Sequence, residues 1–116
     1  DTSTTEIYTL SLHDALPIYN VTIAANTFIT NLDHEYRDVT KSVMDQGHIL
    51  NTTTIGEGCF LGYGVSILAG TILGKHCVVG TGTVLKGQYP DYSVIVGVPG
   101  KVIKQYDTET NEWRKC

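Results

Sequence analysis

What is scarce in this chain narrows its roles before any motif is considered. Its 116 residues include one Trp, one Met and three Pro. No stretch approaches the run of about eighteen apolar residues that a membrane-spanning helix needs. Lys and Arg number 8 against 12 Asp and Glu, a formal net charge of −4, so the basic patch that nucleic-acid binding requires is missing. The three cysteines, Cys59, Cys77 and Cys116, are odd in number and form no CxxC pair, which argues against a disulfide framework and against zinc ligation. The first residues lack a basic stretch followed by an apolar run, so no signal peptide is expected. The expectation is one soluble, cytoplasmic domain with a modest core.

Asp1 to Ile18, DTSTTEIYTLSLHDALPI, resembles a conceptual translation of a sequencing adapter, DTATTEIYTLSLHDALPI, and departs from it only at Ser3. Residues 1–18 therefore read as a non-native segment that is no part of the fold. They carry Asp1, Glu6 and Asp14 with no Lys or Arg, which leaves 9 acids against 8 bases in the remainder, a net −1. On this reading the domain is truncated at its N-terminus, and His13 has no function.

From Ile55 onward an aliphatic residue recurs every six positions: Ile55, Leu61, Ile67, Leu73, Val79 and Leu85. Glycine mostly follows it, at Gly56, Gly62, Gly74 and Gly80, and a small or β-branched residue stands four positions on, at Cys59, Val65, Thr71, Cys77 and Thr83. Ile23 and Ile29 show the same spacing upstream. A helix would repeat at i, i+3, i+4 and i+7, and a simple strand would alternate. A period of six with glycine punctuation suits short strands joined by tight bends. Three hexads then make one triangular coil of eighteen residues, and coils stack at about 4.8 Å with their aliphatics in ladders.

The pattern resembles the hexapeptide-repeat acyltransferases over residues 19–104. The resemblance implies an all-β fold, a left-handed parallel β-helix. The repeat breaks between Asp33 and His48, where the polar stretch EYRDVTKSVMDQGH reads as a loop pushed out of the coil, and loops on rigid scaffolds carry function. Beyond Leu85, VIVGVPGKVIK resembles the family's closing turn, with Pro99 and Gly100 as a turn signal. Residues 105–116 read as a polar surface tail, with Trp113 available to pack back on the coils.

The segment NLDHEYRD resembles the DH-x-HEY element of polysaccharide and lipopolysaccharide O-acetyltransferases. His34 matches the second histidine of that element and Leu32 stands in place of the first. The resemblance implies that His34 is the general base, a role suited to imidazole. Asp33 and Glu35 are open to either of two roles, orienting the imidazole or contacting the acceptor, and Tyr36 is placed on the acceptor side. It also implies acetyl-CoA as acyl donor. Tyr63 and Thr81, eighteen residues apart, match the positions that meet pantetheine. Val84-Leu85-Lys86 matches the element at the adenosine end, with Leu85 in place of the usual threonine. Lys101 and Lys104 match basic positions suited to phosphates. The family acts as trimers with the site between neighbouring chains.

Other histidines carry less. His76 occupies a polar position of its hexad and reads as exposed surface, while His48 ends the loop near the acceptor. The γ-class carbonic anhydrases share this fold and bind metal through three histidines, but His34, His48 and His76 lack their spacing, so no metal is expected. Cys59 and Cys77 lie one coil apart and read as inert buried thiols. The leading expectation is an acetyl-CoA-dependent O-acetyltransferase acting on a sugar or polysaccharide hydroxyl. Antibiotic acetylation and a non-catalytic assembly module are the alternatives.

Overall fold

A computed structural model describes residues 7–11 and 19–116. The chain is built almost wholly of short strands. Before the loop come β1 (Ile7–Ser11), β2 (Thr22–Ile23) and β3 (Thr27–Thr30), and β4 (Leu32–His34) and β5 (His48–Leu50) belong to the loop itself. The regular series follows as β6 (Thr54–Ile55), β7 (Phe60–Leu61), β8 (Ser66–Ile67), β9 (Ile72–Leu73), β10 (Val78–Val79), β11 (Val84–Leu85) and β12 (Gln88–Tyr89). The chain closes with β13 (Ser93–Val96), β14 (Lys101–Asp107) and β15 (Glu112–Lys115).

Among the described residues, the strands of the repeats lie parallel in three sheets that the chain visits in rotation, one strand per hexad, while β14 and β15 extend the first sheet antiparallel and β4 and β5 pair apart from all three. The first holds β2, β7, β10 and β13; the second β1, β3, β8 and β11; the third β6, β9 and β12. Within the regular series a return to a sheet aligns residues eighteen apart, Leu61 with Val79, Ile67 with Leu85 and Ile55 with Leu73. The last turn is shorter, with Val79 aligned with Ile95 and Leu73 with Tyr89. The sequence period thus becomes three aliphatic ladders. Ile55, Leu61, Ile67, Leu73, Val79 and Leu85 are all at most 2% exposed, and Cys59, Val65, Thr71, Cys77 and Thr83 are equally buried at the bends. The outward neighbours Phe60, Ile72 and Val78 are exposed, as the alternation of strand faces requires.

Successive rungs pass so closely at one bend that no side chain fits. A Cβ on Gly56 would lie 2.5 Å from the Gly74 carbonyl carbon, and one on Gly74 would lie 2.5 Å from the Asp91 nitrogen. The closing turn sits on the end of the second sheet. Gly100 donates its N–H to the Val84 carbonyl at 2.9 Å, and a Cβ there would collide with Leu85, Thr83 and Ile95.

Two regions differ from the sequence expectation. Residues 1–6 and 12–18 of the adapter-like segment, His13 included, lie outside the described residues. Ile7–Ser11, however, runs parallel beside β3 at the edge of the second sheet. The terminal rung leaves an unpaired strand edge that a β-prone stretch such as IYTLS can join. Residues 105–116 are not a loose tail: Gln105–Asp107 complete β14, which pairs antiparallel with both β13 and β15. The turn is made by Asp107, whose carboxylate accepts the Glu109 N–H at 2.8 Å, and by Asn111 at positive φ. Trp113 then meets the Tyr106 ring edge-on at 5.3 Å.

Candidate active site

The interrupted repeat places the site. Ile23 aligns with Leu61, 38 residues on instead of eighteen, so the excursion after β3 adds twenty residues to one rung. Its neck is a polar clasp inside the stack. The Asn31 side chain is fully buried and its Oδ1 accepts the Thr53 N–H at 3.0 Å, while the Thr53 hydroxyl donates to the Thr30 carbonyl at 2.8 Å. The Asn51 N–H donates to the Asn31 carbonyl at 2.7 Å. Such pairing is what allows polar groups to be buried where the chain leaves the core.

Beyond the neck the excursion opens as an antiparallel hairpin that aligns Leu32 with Leu50, Asp33 with Ile49 and His34 with His48. Its far end is held by Gln46. The amide accepts the Asp38 N–H at 3.0 Å and donates to the carbonyls of Asp38 and Lys41 at 2.9 and 3.0 Å. A single 3₁₀ turn, Val43–Asp45, carries the chain around.

A cleft of about 540 Å³ lies between this hairpin and the stack, lined by Asp33, His34, Glu35, Tyr36, Arg37, Ile49 and Lys86. Asp33, His34, Glu35 and Tyr36 are thus brought together with Lys86, fifty residues further along the chain. Lys86 follows β11 directly. The Tyr89 hydroxyl fixes its backbone, accepting the Lys86 N–H at 3.2 Å and donating to the Lys86 carbonyl at 3.0 Å. The Lys86 ammonium stands 3.7 Å from the Asp33 carboxylate and donates to the Ala69 carbonyl at 3.4 Å. It therefore ties the excursion to the rung beneath it.

Glu35 is committed to its own loop. Its carboxylate accepts the backbone N–H groups of Tyr36 and Arg37 at 3.1 and 3.0 Å, and the Arg37 guanidinium grips both of its oxygens. The Arg37 side-chain hydrogen bond, reinforced by the Arg37 backbone N–H, holds the Glu35 carboxyl down at about 2. His34 is exposed at the cleft, and its ring packs against that of His48 with centroids 4.8 Å apart. The register that sets His48 against His34 was not readable from sequence; the signal available was only that both histidines flank the break in the repeat.

The remaining expected ligand positions lie elsewhere on this chain. Tyr63 and Thr81 are exposed, one rung apart, at the bend leading into the second sheet, where the Gly82 N–H donates to the Tyr63 carbonyl at 2.8 Å. They precede β8 and β11, whereas Lys86 follows β11, so the two groups stand at opposite ends of the second sheet's strands. Lys101 and Lys104 are exposed on β14, aligned with Val96 and Val94 of the first sheet. Leu85 keeps its place between Val84 and Lys86 but offers no side chain to a ligand. Its side chain is fully buried in the core because it holds the aliphatic position of its hexad, so any ligand contact there falls to the backbone.

His76 stacks on Tyr92 with centroids 6.0 Å apart, in an aromatic row that continues through Tyr106 to Trp113. Cys59 and Cys77 are buried, and their thiols donate to the carbonyls of Gly74 and Pro90 at 3.1 and 3.2 Å. The neighbouring Cys77 and burial push the Cys59 thiol up, away from reactive thiolate. Among the described residues no group of three or more His, Cys, Asp or Glu side chains could hold a metal ion. Among them, too, no helix is long and apolar enough to cross a membrane.

With this geometry in place, similarity to known proteins bears on the chemistry. Residues 52–87 match the family described as bacterial transferase hexapeptide (six repeats). A provisionally assigned acetyltransferase of Mycobacterium tuberculosis is 41% identical over 85 residues, covering 73% of this chain and 28% of its own length. WbbJ of Escherichia coli, provisionally assigned as an O-acetyl transferase of lipopolysaccharide biosynthesis, is 38% identical over 101 residues, covering 81% of this chain and 52% of its own. The chain therefore spans about half or less of the length of these relatives. Among solved structures, a maltose O-acetyltransferase from Clostridium difficile superposes with a TM-score of 0.68 at 31% identity, over 76% of this chain and 46% of that one. A galactoside acetyltransferase in complex with coenzyme A superposes at 0.65 with 26% identity, over 78% of this chain and 48% of that one.

Proposed function

The chain belongs to the bacterial hexapeptide-repeat transferases, and we propose that it acts as an acetyl-CoA-dependent O-acetyltransferase on a hydroxyl of a sugar or polysaccharide precursor. The observation that carries this reading is the convergence of His34, Asp33 and Lys86 in one cleft at the mouth of the excursion. The kinship with maltose, galactoside and lipopolysaccharide acetyltransferases supports the reaction class and the acceptor class. We take the three-sheet stack to be a parallel β-helix, the architecture that a six-residue period and rotation through three sheets favour, and its hand to be left on the resemblance to the hexapeptide-repeat acyltransferases.

In this mechanism His34 accepts the proton of the acceptor hydroxyl as its oxygen attacks the thioester carbonyl. The tetrahedral intermediate collapses, the acetyl group stays on the acceptor oxygen, and the coenzyme A thiolate leaves and takes up a proton. No covalent enzyme intermediate is needed. Asp33, Glu35 and Tyr36 line the acceptor side, Glu35 by shaping the loop. Lys86, Lys101 and Lys104 supply positive charge for the phosphates of the donor, and pantetheine lies along the Tyr63 and Thr81 edge. Tyr63 and Thr81 precede the strands of the second sheet whereas Lys86, which lines the His34 cleft, follows them, and this favours a site shared between neighbouring subunits of a homotrimer. We place the reaction in the cytoplasm.

The test is coenzyme A release, followed with a thiol reagent, across a panel of acceptors: maltose, a galactoside, a lipopolysaccharide-type oligosaccharide and chloramphenicol. Turnover on the saccharides with none on chloramphenicol supports the proposal. The reverse would move the protein to antibiotic acetylation, and no release with any acceptor would favour a non-catalytic assembly module.

A further inference from the structure

We propose that His48 is a positioning residue for His34, a flat wall that holds the imidazole toward the cleft; the inference rests on the reading of His34 as the base. The two residues are directly opposite in the hairpin ladder, where side chains of an antiparallel pair share a face with Cβ atoms about 4.5–5.5 Å apart. Their rings meet at 4.8 Å with a 54° tilt, in the range that aromatic pairs prefer over a flat sandwich.

The groups that would ordinarily orient a catalytic imidazole are engaged elsewhere. Asp33, one residue before His34, pairs with Lys86. Glu35, one residue after, is wrapped around Arg37 and the loop backbone. His34 lines the cleft and His48 does not, so the second ring packs against the first from outside the reaction space. His48 is itself well placed to serve as a support. The ladder continues past it through the Glu35 N–H, which donates to the Gly47 carbonyl at 3.1 Å, and Gly47 takes the positive φ of 89° that brings the chain back into β5. An exposed imidazole without such a wall would sample several rotamers, and small misplacements of a reacting group are costly.

The experiment uses the full chain and two readouts. By NMR, the χ1 couplings of His34 show a single rotamer in the parent protein and in His48→Phe, and averaged values in His48→Ala. In the transfer assay His48→Ala lowers kcat about tenfold to 10²-fold with KM for acetyl-CoA unchanged, and His48→Phe restores most of it. Unchanged His34 couplings in His48→Ala would overturn the proposal, whether or not the assay gives turnover. A His48→Phe variant as impaired as His48→Ala would also overturn it, since a ring nitrogen and not a wall would then be required. His34→Ala, measured alongside, separates the two readings. If it keeps full activity the base assignment fails on its own, while the couplings still report on the contact.

Discussion

His34 and His48 face each other across a three-residue antiparallel ladder, with ring centroids 4.8 Å apart, although thirteen residues separate them in sequence. One stands at the cleft and the other behind it, so their substitutions should have unequal consequences. His34→Ala is expected to reduce coenzyme A release 10²–10⁴-fold, the usual contribution of a general base. Because His34 is exposed, its removal should change stability by no more than about 0.5 kcal/mol, read by thermal melting.

Lys86 links the cleft to the stack through a partly exposed ion pair, with side-chain exposures of 57% for Lys86 and 38% for Asp33. Such pairs add about 0–1 kcal/mol, so Lys86→Met should leave the melting temperature nearly unchanged. Affinity for acetyl-CoA should fall more clearly, and the deficit should shrink as salt rises and screens the interaction in the parent protein. An unaltered affinity at low salt would remove Lys86 from the donor site.

The Glu35 carboxyl titrates at about 2 because Arg37 stabilises its charged form. Its folded value lies below the ordinary carboxylate value, so the contribution is present above about pH 4.5 and is lost as the pH falls toward 2. Order in the loop segment Glu35–Arg37 should therefore persist from neutral pH to about 4.5 and decay below it. Glu35→Gln should show the loosened loop already at pH 7. Carboxyl chemical shifts of Glu35 followed by NMR across this range check the first statement. The backbone amide resonances of Tyr36 and Arg37, whose N–H groups donate to the Glu35 carboxylate, check the second in the variant.

Removing one step of an inner ladder should be costly. Leu61 is fully buried and pairs with Ile23 on one side and Val79 on the other. Leu61→Ala should destabilise by about 2–5 kcal/mol in denaturant unfolding. Gly56→Ala adds a single methyl group where the next rung's backbone is 2.5 Å away, and should cost at least the 1–3 kcal/mol typical of overpacking.

The aliphatic positions were legible from the six-residue period because each repeats the same local geometry, and Ile55 through Leu85 fall where the spacing puts them. Leu85 shows the limit of motif matching. Its place in Val84-Leu85-Lys86 puts it at the donor, while the hexad period turns its side chain inward and leaves only its backbone to meet a ligand. The β4–β5 pairing was not legible, since two three-residue strands with a polar connection carry no periodic signal. The β14–β15 hairpin was missed for a related reason. Its pairing rests on the Asp107–Asn111 turn and the Tyr106–Trp113 contact, neither of which shows as a hydrophobic pattern. The edge position of Ile7–Ser11 depends on an open strand edge, a property of the folded stack and not of those five residues alone.

Calorimetric titration of the chain with acetyl-CoA, with the oligomeric mass determined on the same sample, asks whether this protein takes an acyl donor at all. Saturable binding by a trimer, weakened in Lys86→Met, is the expected result. A well-folded trimer that takes up no acetyl-CoA would contradict the transferase reading and leave an assembly role in its place.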